Sequence, residues 1–559
     1  MRFLTNLQRV TEEEALERLL QSSRLAIDIE TVSTKNKLPL GIGVAISPVE
    51  GFYFFNTKDP VLMEAVSGAT KVGLHNCKFD IPLLRDMGYV INDYDDTKML
   101  AYSRGYPDTS LETLTQEVLF RPYRAVTEQW KDKNQGNLGI DHKVMGEICL
   151  SHALHTFALW EGLKPVELYE KIDRPCVELL MEMEQWGLLV DQYRLTQLEQ
   201  DVFTRAMELK RELIAEIGDI NLGSSIQVAK ALYDLGIVGT KKTKANKDSV
   251  SDESLRPLDN PIANKILAWR REMKTLSTYV PAFRSVDVKG RMHTSFGLTS
   301  TGRWSSSGPN LQNMTRDDRF KGITLRGCIA AEEGYIFIAM DASQLELRVV
   351  AILSQDPKML EIIEASDLHM AAAVQIFGHT DDKDEMKRRR YDAKQLNFAI
   401  LYGADSRKVS EMAGCSKEKA EELINQYFAT YPVLKRWIDN VQRHAKASGF
   451  VTNMFGRIRH IPEITSASFK LRAKGEREAV NSVVQGTAVD IVKLMMLYLK
   501  DSLDPQVRMV LQVHDEILLE VPEGMVESTL EKVGELAQAF PDYPCTVKVG
   551  KYYGNMEEL

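Results

Sequence analysis

Two short acidic motifs, far apart in the chain, carry the residue types that metal-dependent phosphoryl transfer needs. Asp341-Ala342-Ser343-Gln344-Leu345-Glu346-Leu347-Arg348 follows the apolar run Ile336-Phe337-Ile338-Ala339-Met340, and His514-Asp515-Glu516 follows Arg508-Met509-Val510-Leu511-Gln512-Val513. Both runs read as strands, and Ile517-Leu518-Leu519 reads as a returning strand. Carboxylates at strand ends could hold Mg²⁺. In a two-metal site the ions lie about 3.5–4 Å apart, activate the attacking oxygen and stabilise an in-line transition state. Either aspartate alone is equally a surface acid beside a core strand, so the case turns on what lies between them.

Between them, Asp384 to Tyr402 holds no Pro or Gly, and Arg390, Lys394, Phe398 and Tyr402 recur at every fourth position. That spacing predicts a helix with two cations and two aromatics on one stripe. Arg390 could engage two phosphate oxygens at once and Lys394 could act as a point charge. Phe398 and Tyr402 offer flat faces to a sugar and a base. Spacing alone also allows a solvated basic face over core aromatics.

The wording of these motifs goes further. Arg390-Tyr391-Asp392-Ala393-Lys394-Gln395-Leu396-Asn397-Phe398-Ala399-Ile400-Leu401-Tyr402-Gly403 resembles the nucleotide-binding helix of family A DNA polymerases, the group that includes bacterial DNA polymerase I. Thr301-Gly302-Arg303-Trp304 through Asn313 resembles the primer-template segment of that family, and Glu476 through Ala488 its template-side helix. With the two acidic motifs, the resemblance covers roughly residues 300 to 520. It implies that Asp341 and Asp515 hold two Mg²⁺ ions, with Mn²⁺ able to substitute, and that Glu516 assists beside them; a solvated acid is the other reading of Glu516. Glu346 would exclude a ribose 2′-hydroxyl together with Phe398. His369, Arg390 and Lys394 would grip the triphosphate, and Tyr402 would cover the templating position. Arg303, Asn310, Gln312, Arg477, Asn481, Gln485 and His514 would contact the primer-template duplex, mostly at backbone and minor groove, where readout tolerates any sequence. The chain departs from the family pattern at Ala342, where Tyr is usual, at Ala399, where Gly is common, and at Trp304, where Leu is usual. The first removes a ring and hydroxyl near the nucleotide and leaves sugar selection to Glu346 and Phe398.

A second site of similar chemistry precedes these motifs. Leu25-Ala26-Ile27-Asp28-Ile29-Glu30-Thr31 reads as a buried strand, and Asp28 and Glu30, two apart, share a face and can share a metal. Asn76-Cys77-Lys78-Phe79-Asp80 brings a third carboxylate after the strand-like Val72-Gly73-Leu74. The region resembles the 3′-5′ exonuclease domain of the same family, which implies metal ligation by Asp28, Glu30 and Asp80. The fourth acid of that family is expected in a Tyr-x-x-x-Asp pattern, but the matching segment carries Ile148 and His152. Mg²⁺ prefers oxygen ligands, whereas imidazole suits transition metals, so proofreading is expected to be weakened. A domain kept only as a scaffold is the alternative.

These readings set the architecture: an α/β exonuclease-like domain over residues 1–165, then an α+β right-hand polymerase module over 166–559, with a thumb at about 190–295, fingers at about 350–425 and palm elsewhere. The resemblance implies a phage or bacterial type without the 5′-nuclease domain and without the thumb insertion that recruits a processivity partner. The net charge of −9 does not exclude DNA, because binding depends on local basic surface, for which Lys387-Arg388-Arg389-Arg390, Arg270-Arg271 and Arg457-Ile458-Arg459 are candidates, with Arg388 and Arg389 read as ordinary solvated surface. The Lys-rich run containing Lys241, Lys242 and Lys244 reads as an exposed loop. Six scattered cysteines show neither a disulfide framework nor a zinc spacing, and no apolar run or leader marks a membrane or secreted chain. A monomeric cytoplasmic DNA polymerase acting on primer-template DNA and dNTPs is the expectation. A degradative nuclease, a non-catalytic DNA-binding protein and a single-subunit RNA polymerase are its rivals.

Overall fold

A computed structural model describes residues 11–33, 37–123, 137–237, 249–258, 260–314, 322–365, 373–374 and 378–559. His369, Lys241, Lys242 and Lys244 lie outside the described residues, as do the side chains of Lys394 and Phe398.

The predicted strand around Asp28 is the centre of a five-stranded sheet. β1 (Arg24–Thr31), β2 (Pro39–Ser47), β3 (Glu50–Phe54), β4 (Lys71–Leu74) and β5 (Tyr94–Asp96) lie in the order β3-β2-β1-β4-β5. β2 runs antiparallel to both β1 and β3, whereas β4 and β5 run parallel to β1. The helix His142–Gly162 starts at Asp141, whose carboxylate accepts the backbone N–H groups of Lys143 and Val144, and crosses this sheet. Two glycines let it come close: a Cβ on Gly43 would stand 2.8 Å from the Cys149 carbonyl oxygen, and one on Gly73 would stand 2.5 Å from the Trp160 ring. That approach seats His152 against β1.

The border expected near residue 165 falls just before a helix that serves two cores. On the helix Arg174–Trp186, Val177 and Met181 belong to the N-terminal core, while Cys176, Leu179, Leu180 and Met183 belong to the next. Beyond it, Gln192–Ile217, Ser225–Asp234 and Pro261–Lys274 enclose a small separate core around Leu213, Leu232 and Ile266. These helices fall within residues 190–295, the range expected for a thumb.

The second sheet carries the acidic motifs. Its order is Arg508–Val513, Glu516–Pro522, Tyr335–Ala342, Cys545–Gly550, Glu557–Glu558, antiparallel throughout. The apolar run Phe337 to Met340 is buried along its whole length rather than on alternate residues, because elements cover both faces. The Lys383–Leu401 helix, predicted from the absence of Pro and Gly, forms with Ser406–Ala413 and Lys417–Thr430 a further small core of Leu396, Ile400, Val409 and Ala420.

The helix Phe469–Ser502 runs through the centre of this module. It contains an apolar window long enough to cross a membrane, a feature passed over in the sequence reading, yet 78% of that window is buried inside the protein. Four charged side chains meet along it. Arg457 donates to Asp173 at 2.8 and 3.0 Å and to Asp490 at 2.7 and 3.0 Å, and Lys493 donates to Asp173 at 3.1 Å. Ser103 and Asn453 add hydrogen bonds of 2.7 Å to Asp173 and Asp490. All four charged groups are at most 5% exposed. Arg457, expected on a DNA-facing basic surface, is therefore a buried structural cation. Arg388 and Arg389 of the other basic run pair with Glu385 on their own helix.

Removing one partner of such a network leaves a buried charge uncompensated, which costs about 3–5 kcal/mol. Asp490→Asn is expected to lower stability by about that amount, read from the denaturant midpoint. Burial alone would raise the Asp173 carboxyl, but Lys493, Arg457 and the hydrogen bonds from Arg457 and Ser103 outweigh it and hold the group below the ordinary carboxylate range. A depressed folded-state value means a contribution present above the unfolded carboxylate pKa of about 3.9 and lost as the pH falls toward the folded value. The stability difference between the native chain and Asp173→Asn should thus be constant near neutrality and shrink below about pH 4.

Candidate functional site

Strand register brings the two distant acidic motifs together. Asp341 stands directly opposite Glu516, and Val513 opposite Glu516 closes a two-residue turn of His514 and Asp515. The backbone N–H of Ala342 donates to the Asp515 carbonyl at 3.1 Å, tying the end of one strand to the turn of the other. His514 occupies the left-handed region at φ 56°, an uncommon conformation for a residue other than Gly. The buried Gln512 side chain offsets this by donating to the His514 carbonyl. Gln312, from the predicted primer-template segment, donates to the carbonyl and side-chain oxygens of Gln512, both at 3.4 Å.

Burial, then the nearby Glu346, then Asp341 push the Asp515 carboxyl up to about 6, against the opposing pull of Arg303. Three carboxylates around one cation make an electron-rich oxygen site, which fits the donor chemistry of Mg²⁺ or Mn²⁺. Glu346 lies in the first turn of the helix Leu345–Ser354 and accepts from Arg303 on one oxygen and from the Tyr402 hydroxyl on the other. Burial and Glu346 raise the Tyr402 phenol far above its ordinary value, so it is a donor at neutral pH.

Glu516 is not the solvated acid considered from sequence. It is 6% exposed, accepts from the Tyr553 hydroxyl and pairs with Arg326 at 3.6 Å, while Arg326 also donates to Tyr553 at 2.8 Å. Neither Tyr553 nor Arg326 carried a sequence signal. Arg348, part of the first motif but given no role, donates to the carbonyls of Ser343, Ile363 and Asp542 and so fixes the turn after Asp341.

Other predicted residues surround this centre. Arg477, Asn481 and Gln485 fall on one stripe of the Phe469–Ser502 helix, the only face of its middle that is not buried. Arg477 packs beside Gly403, where an added Cβ would meet it at 3.0 Å, so the stripe begins next to Tyr402. The Asn481 side-chain oxygen is buried without a hydrogen-bond partner among the described residues. Asn310 is exposed and caps the Asn313 N–H at 3.1 Å. Arg390 lies partly buried on the Lys383–Leu401 helix, which also carries positions 394 and 398. Trp304 is buried with the Lys493 ammonium 4.5 Å from its ring centre.

The N-terminal site also assembles. His152 Nδ1 lies 3.7 Å from Asp28 Oδ2 and 3.7 Å from Glu30 Oε1, so this histidine lies beside both acids of β1. Tyr123 stacks on the His152 ring at 5.1 Å, a contact with no sequence signal. Asp80 is buried, and burial together with Asp28, Asp96 and Glu30 raises its carboxyl well above the ordinary range. Ile148 is fully buried and presents no hydroxyl.

Residues 192–554 match the model of DNA polymerase family A, and residues 5–145 match that of the 3′-5′ exonuclease, a match that stops short of Ile148 and His152. The chain belongs to DNA polymerase family A, with an exonuclease-type α/β domain ahead of the polymerase module. It is 33% identical over 535 residues to the thermostable DNA polymerase I of Thermus filiformis, covering 90% of this chain and 62% of that one. It is 29% identical over 578 residues to DNA polymerase I of Bacillus caldotenax, covering 98% of this chain and 64% of that one. The chain thus spans less than two thirds of the length of these relatives. Among solved structures, the POL domain of Pol1 from M. smegmatis in complex with DNA primer-template and dNTP superposes with a TM-score of 0.80 at 27% identity, over 98% of this chain and 99% of that one.

The turn that carries Asp515 gives a direct test. Gln512→Leu should cost about 1 kcal/mol of stability through the lost hydrogen bond and, on the expectation that Asp341 and Asp515 hold a divalent ion, lower Mn²⁺ affinity by about tenfold through the displaced turn. Denaturant titration and Mn²⁺ electron paramagnetic resonance read the two effects separately.

Proposed function

We propose that this chain is a template-directed DNA polymerase that adds deoxynucleotides to a primer 3′-hydroxyl, working as a monomer in the cytoplasm, with an exonuclease-like domain whose proofreading is weakened or lost. The observation that carries the reading is the junction of Asp341 and Asp515 through the Ala342 to Asp515 backbone bond, in the part of the chain that matches DNA polymerase family A, beside the Arg303–Glu346–Tyr402 cluster. Asp341 and Asp515 would hold two Mg²⁺ ions, with Glu516 supporting the strand pair from behind. Bound there, the ions supply Lewis-acid activation of the primer hydroxyl and charge neutralisation at the phosphates.

The chain's own groups bind and orient. Arg390, Lys394 and His369 take the triphosphate, whose charge they match. Phe398 and Tyr402 would meet the sugar and base. Glu346, held on both oxygens, stands as a fixed carboxylate where a ribose 2′-hydroxyl would come. Arg303, Asn310, Gln312, Arg477, Asn481, Gln485 and His514 line the path of the duplex around the same centre. Asp28, Glu30 and Asp80 remain as the acids of the exonuclease-like site.

Primer extension on a recessed template, with Mg²⁺ and with or without dNTPs, tests this reading. Asp515→Asn removes a metal ligand worth several kcal/mol in the transition state and should slow extension by about 10³-fold or more while leaving primer-template binding nearly intact. Extension at close to the native rate would refute the assignment. Glu346→Ala removes a repulsive element rather than an attractive one, and incorporation of ribonucleotides relative to deoxynucleotides should rise by about tenfold or more, measured by single-nucleotide insertion.

A further inference from the structure

Among the described residues, one group of three or more His, Cys, Asp and Glu side chains brings its ligand atoms within 4.8 Å of one another: Asp28, Glu30 and His152. We propose that these three residues form a site for a single borderline transition-metal ion of the Zn²⁺ type, in place of the magnesium chemistry that the exonuclease resemblance implies. This deepens the reading of that domain and stands apart from the polymerase assignment.

The donor set does not fit Mg²⁺. Magnesium holds oxygen ligands in a near-ideal octahedron, and an imidazole nitrogen in the middle of the set is a poor substitute. Two carboxylates and one imidazole instead fit Zn²⁺, which binds His and Asp or Glu at about 2.0–2.2 Å, so neighbouring ligand atoms of a tetrahedral site stand about 3.4 Å apart. His152 Nδ1 lies 3.7 Å from each carboxylate, too long for a hydrogen bond and close to the spacing an ion would impose. Three protein ligands leave a coordination position open, as in catalytic rather than structural zinc sites.

A second observation points the same way. Asp28 Oδ2, the oxygen facing His152, is buried with no hydrogen-bond partner, a costly state for a carboxylate oxygen unless a cation satisfies it. The scaffold is rigid: β1 presents both acids from one strand, and the Gly43 contact holds the helix of His152 against the sheet. Tyr123 stacks flat on the imidazole and fixes its plane.

Isothermal titration of the full chain carrying Asp341→Asn and Asp515→Asn, so that the polymerase centre contributes little, tests the proposal with Zn²⁺ and Mg²⁺ as separate titrants. One Zn²⁺ per chain is expected, bound at least about 100-fold more tightly than Mg²⁺. Co²⁺ in place of Zn²⁺ should give the visible absorption of a low-coordinate ion with nitrogen ligation. His152→Ala should weaken Zn²⁺ by tenfold or more, and His152→Asp should shift the preference back toward Mg²⁺, a change in ratio that a merely misfolded variant would not show. Zn²⁺ binding that is absent, or unchanged in His152→Ala, overturns the proposal and leaves a His–carboxylate ion pair. Primer shortening without dNTPs tests the exonuclease reading by itself, so the two can fail separately.

Discussion

The molecule is organised around a buried set of two cations and two anions. Moving Asp173, Asp490, Arg457 and Lys493 out of water costs several kcal/mol per ion, and only close, mutually satisfied geometry repays it. That geometry requires segments from across the chain to arrive together: the start of the module at Asp173, the hairpin at Arg457, the long helix at Asp490 and Lys493, and the N-terminal domain through Ser103. The same cluster reaches the centre formed by the two acidic motifs. Lys493 sits over the Trp304 ring, and a Cβ on the neighbouring Gly302 would touch Arg457. The next side chain, Arg303, holds Glu346, which accepts from Tyr402. A Trp in place of the usual Leu at position 304 is explained here, since only an aromatic face adds a cation–π contact to a buried ammonium.

The second constraint is strand register. Because side chains alternate, a slip of one residue between Tyr335–Ala342 and Glu516–Pro522 would turn Asp341 and Glu516 onto opposite faces. The Ala342 N–H to Asp515 carbonyl bond ties Tyr335–Ala342 to the turn, and the turn, only two residues long, fixes Arg508–Val513 against Glu516–Pro522 and holds Asp515 where a longer loop would let it wander. The left-handed His514 is the cost of so short a turn, and strain of this kind collects where a side chain must be aimed.

Much of this was legible in the sequence, and the pattern of misses is physical. Elements announced by local rules came through: the strand at Asp28, the strands flanking both acidic motifs, and the helix bearing Arg390. Local patterns carry no information about partners distant in sequence. Arg457 looked like surface charge because its compensation lies 284 residues away at Asp173. For Glu516 a solvated acid stayed open beside the metal-helper reading because Tyr553 and Arg326 return to it only through the tertiary fold. Tyr123 gave no hint of stacking on His152, since nothing in its neighbourhood repeats or alternates.

The two acidic sites solve one electrostatic problem in different ways. Around Asp515, carboxylates crowd against a single Arg303, and burial leaves that charge uncompensated enough to push the group up to about 6. Such a site gains most from a hard divalent cation that brings two positive charges to oxygen donors. Around Asp28, His152 stands between the two carboxylates and offers a nitrogen instead. An imidazole in that place neutralises the acids by carrying either a proton or a metal ion, and a metal that accepts nitrogen competes with the proton better than magnesium does. On the proposed zinc site, a His at position 152 would change which ion the domain holds while the sheet, the helix and the seat of both acids stay in place.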